Sequence, residues 1–130
     1  MKKKEPFWKK TLQRCPAVGV LFKDGKWVFK FYDYASISGI VSYRAVRLDE
    51  DHLYAEKILS EAKKRGFIYA GTSGGEDIYV RRDCVLFAKE TAPRVIEITV
   101  VSLIDGSDPM KFVVELDSAH TTRKVLSALN

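Results

Sequence analysis

The amino-acid sequence predicts an α+β fold with two parts: a small N-terminal β-hairpin or meander lobe, and a C-terminal mixed β-sheet flanked by two helices. Three observations carry this. Asp24-Gly25 sits between two alternating apolar runs, the two-residue signal of a type I′ hairpin. Residues 49–65 carry helical spacing with agreeing signals at both ends. Beyond them, short β-branched and aromatic runs are separated by glycine-rich or polar breaks. The predicted division is 1–47, a reduced β lobe with a basic N-terminal segment, and 48–130, the larger domain.

In the hairpin, the turn sets the register. Phe22 is expected to face Trp27, Val20 to face Phe29 and Val18 to face Phe31, while Lys23, Lys26 and Lys30 take the opposite face. A third strand over 40–46 would complete the meander. In the helix, Ala55, Ile58, Leu59 and Ala62 share a face, Asp49-Glu50-Asp51 sit at the positive end of the dipole, and Lys63-Lys64-Arg65 close it before Gly66. Strands are then expected over 67–70, 78–81, 84–89 and 94–104, with residues 71–75 forming a loop. Asp108-Pro109 suggests an N-cap and first helical position, so a helix is expected over 109–120. The alternation of Val125, Ser127 and Leu129 suggests a final strand over 123–129.

Composition excludes several function classes. The chain has 130 residues, 46% hydrophobic and 30% charged, which rules out disorder and fibrous repeats. Its longest charge-free stretches, 34–43 and 66–75, reach ten residues, about half of the roughly 20 a membrane helix needs. No apolar segment follows the basic start, so a cytoplasmic protein without a secretory signal is expected. Cys15, Cys84, His52 and His120 have no zinc-ligand spacing, so no metal and no cofactor are expected, and both thiols should be reduced and buried. The net charge of +5 is unevenly divided: residues 1–32 hold nine Lys/Arg against two acids, and the remainder holds thirteen against fifteen. Nucleic acid is therefore a candidate ligand of the N-terminal segment, with Lys2, Lys3, Lys4, Lys9, Lys10 and Arg14 tracking phosphates; the alternative is a solvated, frayed terminus.

Three segments resemble a known family. Lys64-Arg65-Gly66-Phe67-Ile68-Tyr69-Ala70-Gly71-Thr72 followed by Gly75-Glu76-Asp77-Ile78-Tyr79-Val80-Arg81, then Thr91-Ala92-Pro93-Arg94-Val95-Ile96-Glu97-Ile98, then Ala119-His120-Thr121-Thr122-Arg123-Lys124, are similar in order and spacing to motifs of the tRNA-splicing endonucleases. The resemblance covers about residues 54–129. It implies a nuclease-like C-terminal domain and metal-independent RNA cleavage by a ribose 2′-hydroxyl. That attack needs a base, an acid and a cation, which the family supplies as Tyr, His and Lys. Here those positions hold Arg81, Thr91 and Lys124, so two of the three groups are replaced by side chains unable to do the work. Tyr79, two residues before Arg81, lies on the same strand face but too far along it to substitute.

The resemblance therefore implies a noncatalytic structural subunit of an archaeal enzyme. Such a chain assembles with a catalytic subunit in a two-plus-two heterotetramer and supports cleavage of precursor tRNA at bulge-helix-bulge sites. It also implies partner docking by an acidic loop, here Asp105 and Asp108, and by a last edge strand carrying Val125 and Leu126. Asp117 stands where catalytic chains carry an RNA-stacking arginine, and a carboxylate there would repel phosphate. His120 is expected to be a packed or hydrogen-bonded helical residue. The alternative is an α+β nucleic-acid-binding or interaction module unrelated to splicing.

Overall fold

The computed structural model describes residues 7–35, 41–49, 52–101 and 109–130, with side chains described outside 7, 33–49 and 52–54. The elements are α1 (Phe7–Arg14), β1 (Ala17–Lys23), β2 (Lys26–Ala35), β3 (Val41–Asp49), α2 (His52–Lys64), β4 (Phe67–Ser73), β5 (Glu76–Arg81), β6 (Val85–Ala92), β7 (Val95–Val100), β8 (Met110–Glu115) and α3 (Ala119–Leu129). The fold is α+β. All eight strands join one sheet in the order β3-β2-β1-β5-β4-β8-β7-β6. Its described pairings are antiparallel rather than mixed. The N-terminal hairpin continues the same sheet, because β1 pairs with β5 through Ala17↔Val80 and Val18↔Tyr79.

The hairpin forms in the expected register, Phe22↔Trp27, Val20↔Phe29 and Val18↔Phe31. Asp24 and Gly25 both have positive φ, 53° and 74°, as a type I′ turn requires. The next hairpin repeats the device at Gly74-Gly75, φ 56° and 87°, so β4 runs on through Ser73 where a longer loop was expected. α2 ends as its sequence predicts. Gly66 takes φ 89° with its N–H on Lys63 O, and Phe67 is buried beside Ala62. Asp49 ends β3 instead of opening the helix, and no acid occupies the first turn of α2.

Two expectations near the C-terminus are overturned. Residues 109–120 do not form a helix: Met110, Phe112 and Val114 are buried while Lys111, Val113 and Glu115 are exposed, a period of two that builds β8. Pro109 precedes the strand, where its missing N–H removes no ladder bond. Conversely, 123–129 is not a strand. Ser118 accepts from Thr121 N–H as an N-cap, and Thr122, Val125 and Leu129 recur at helical spacing on the buried face of α3. The N-terminal segment, expected to be a basic tail, is helical from Phe7, since Trp8, Leu12 and Cys15 form one buried stripe.

Strand alternation separates two cores. On one face Val18, Val20, Phe29, Phe31 and Phe67 are covered by Trp8 and Leu12 of α1 and by Ala55, Ile58 and Ala62 of α2. On the other, Ile78, Val80, Ile96, Ile98, Met110, Phe112 and Val114 pack with Val125 and Leu129 of α3. That second face is concave. β2 and β8 stand four places apart, about 19 Å in a flat sheet, yet the rings of Tyr32 and Phe112 meet edge to face at 5.1 Å. The seam of this coiled sheet is β4–β8, bridged through Thr72↔Glu115. Gly71 permits the approach: at φ 131°, a Cβ there would lie 2.8 Å from Glu115 O. Among the described residues no helix is long and apolar enough to cross a membrane.

Candidate nucleic-acid interface

α1 presents two unlike faces. Trp8 and Leu12 are fully buried, while Lys10, Gln13 and Arg14 are exposed and Lys9 is half-exposed. At 100° per residue these four span about 140° of the helix circumference, opposite the buried stripe. The Lys9 amine also lies 5.9 Å from the Trp8 ring centroid, a cation–π contact that holds its stem against the helix.

The C-terminal end of α1 is fastened to the end of β5. Arg81 N–H donates to Pro16 O at 2.8 Å, and its Nη1 donates to Gln13 O at 3.2 Å. The next residue joins the end of α2: Arg82 N–H donates to Gly66 O at 3.1 Å. The ends of both helices therefore meet at one end of the sheet, bringing Arg14, Lys63, Lys64, Arg65, Arg81 and Arg82 together. Two acids answer them. Glu61 accepts from Arg65 at 3.2 Å and the exposed Asp83 accepts from Arg81 at 3.5 Å. Two helix C-termini add about −0.5 charge each, so this end keeps a surplus near +3. Helix-end capping explains part of the basic charge and leaves most of it over.

Arg81 and Arg82 point to opposite sides. Arg81 reaches α1 on the convex face, whereas Arg82 Nε donates to Ala128 O of α3, on the concave side, at 2.8 Å. Arg81 is thus separated by the sheet from exposed Lys124 on α3, and Arg81, the exposed Thr91 and Lys124 do not form one site. Tyr79 packs edge to face on Tyr69 at 5.5 Å. Burial and the Asp77 carboxylate push its phenol above the ordinary value, so even less phenolate is available to act as a base at neutral pH. Cys84 is buried and its thiol is likewise pushed up, chiefly by desolvation, with Asp83 reinforcing; Cys15 is buried in the other core. Among the described residues no group of His, Cys, Asp and Glu is arranged to hold a metal.

The docking residues fare differently. Val125 and Leu129 are 7% and 4% exposed in this chain's own core, with Leu126 partly buried against it, so they form no edge strand for a partner. Leu126 lies on α3 for the same reason. Asp105 and Asp108 lie outside the described residues, as do Lys2, Lys3 and Lys4. Of the expected phosphate contacts, Lys9, Lys10 and Arg14 are in place. Lys63, Lys64 and Arg65 join them, although their run has a sufficient local explanation in the helix dipole.

One other cleft has the opposite sign. It measures about 320 Å³, lies near the β4–β8 seam and is lined by Tyr69, Thr72, Glu115, Leu116, Asp117 and Thr121. Its carboxylates disfavour phosphate, in keeping with the expectation for Asp117. His120 is exposed on α3 rather than packed. Comparisons with family models, curated proteins and solved structures return no match.

Proposed function

We propose that this chain is a noncatalytic nucleic-acid-binding module that grips the phosphate backbone with the outer face of α1 and the basic end of α2. The observation that carries the reading is the meeting of the ends of α1 and α2 at one end of the sheet, where Arg14, Lys63, Lys64, Arg65 and Arg81 are continuous with Lys10 on α1. Flexible lysines and arginines suit backbone contact more than base readout. Separation of Arg81 from Lys124 supports the noncatalytic part.

Anisotropy of a labelled single-stranded RNA across a salt series tests this. Four to six neutralised phosphates give a slope of log K against log salt of about −3 to −4. Combined charge reversal at Lys9, Lys10 and Arg14 is expected to flatten that slope by about 2 and to leave the RNA intact throughout. Salt-independent binding, or none, would remove the proposal.

A second reading keeps the chain as the noncatalytic subunit of a tRNA-splicing endonuclease. Beyond the ordered sequence segments, one structural feature favours a protein partner: Phe87 and Val113 lie exposed on the convex face of β6–β8, beside exposed Leu86. Mixing with a catalytic subunit separates the readings, because only this one expects co-elution and gained cleavage of a bulge-helix-bulge RNA.

A further inference from the structure

Between α1 and the end of α2 lies a cleft of about 300 Å³, lined by Leu12, Gln13, Arg65 and Arg81. Its two guanidinium groups come from different elements and are only partly engaged. Arg65 places Nε and Nη2 on one oxygen of Glu61, both at 3.2 Å. Arg81 uses Nη1 on Gln13 O and Nη2 on Asp83, the latter at 3.5 Å, and its Nε has no hydrogen-bond partner. A guanidinium carries five N–H donors and stays charged at any physiological pH. The Arg65 Nε–Nη2 edge is on Glu61 and the Arg81 Nε is buried, so the donors left over beside the cleft are the remaining terminal N–H groups of Arg81 and the Nη1 of Arg65, next to a space that holds roughly ten waters at about 30 Å³ each.

We propose that this cleft is a phosphate-monoester pocket, which receives the terminal phosphate of a nucleic acid strand. The inference rests on the backbone-binding reading and adds to it the chemical group that the cleft selects. A carboxylate is planar and is satisfied by a single fork. Two guanidinium groups brought to one cleft by separate elements suit a tetrahedral group with three acceptor oxygens and close to two negative charges. An internal phosphodiester brings one charge, so a chain end is favoured over the middle of a strand. The weak tie to Asp83, which is 71% exposed, costs little to give up when the phosphate enters.

The test compares one short single-stranded RNA in 5′-phosphorylated, 3′-phosphorylated and unphosphorylated forms, bound to the intact chain. Either phosphorylated form is expected to bind about tenfold tighter than the unphosphorylated one, the worth of a charge-assisted bidentate contact. Inorganic phosphate should abolish that advantage. In Arg81→Gln and Arg65→Gln the ratio of affinities should fall to near one. Phosphate competition on the parent protein needs no variant, so a misfolded substitution does not rescue the idea. Equal binding of all three RNAs by the parent overturns the pocket and leaves the backbone interface standing. Failure of every RNA to bind removes both.

Discussion

Asp77 shows how a single side chain reports its surroundings. Although Asp77 is exposed, partial desolvation by its neighbours holds its carboxyl above the ordinary 3.8. The folded chain thus takes up a proton more readily than the unfolded chain. The stabilisation is complete below pH 3.8 and is lost as pH rises through the elevated folded value, leaving a penalty at neutrality. Asp77→Asn, neutral at every pH, is expected to be more stable than the parent at pH 7, with the gap closing below pH 3.8. Urea midpoints across pH 3–7 check this, and a gap that widens on acidification would contradict it. The same substitution should lower the pKa of the Tyr79 phenol, since the Asp77 charge helps to raise it. Arg81 carries a second role beside its place in the motif: its contacts make it the bolt between β5 and α1.

Among the elements, α1 decides the most. Eight residues are too few for a stable isolated helix, which needs about 12–15. Its existence depends on Trp8 and Leu12 inserting beside Phe29, Phe31 and Ile58. Trp8→Ala is expected to cost about 3–5 kcal/mol and to weaken RNA binding, because Lys10 and Arg14 lose their platform. Urea unfolding with the same anisotropy assay checks both. Unchanged stability would show that the helix does not need this anchor. Legibility followed how local each signal was. The Asp24-Gly25 turn and the Gly66 cap are written in adjacent residues, and both were read in full. β8 and α3 exchange types between sequence and structure because Asp108-Pro109 imitates a helix start, and because a short apolar run fits either period until its burial is known. α1 is hard to read as a helix because its stripe, Trp8, Leu12 and Cys15, is interrupted by lysines that dominate the composition.

For the whole molecule, charge and apolar surface are sorted by region. The basic end of the sheet, the acid-lined cleft near Thr72 and the convex face of β6–β8, where Phe87 and Val113 are exposed, carry different chemistry. The sequence showed a basic N-terminal third and an α+β pattern. It did not show that residues 63–65 and 81–82 would join residue 14, because that meeting depends on β1 pairing with β5 and thereby setting α1 beside the end of α2. Core placement followed directly from alternation once the strands were known, whereas the candidate interface depends on topology that no local motif announces. The most direct measurement of the central claim is a map of backbone amide shifts during titration with single-stranded RNA. Shifts concentrated on 9–14, 63–66 and 81–82 are the predicted result. Shifts confined to β6–β8 or to the cleft at 115–121, with the basic end unmoved, would contradict it.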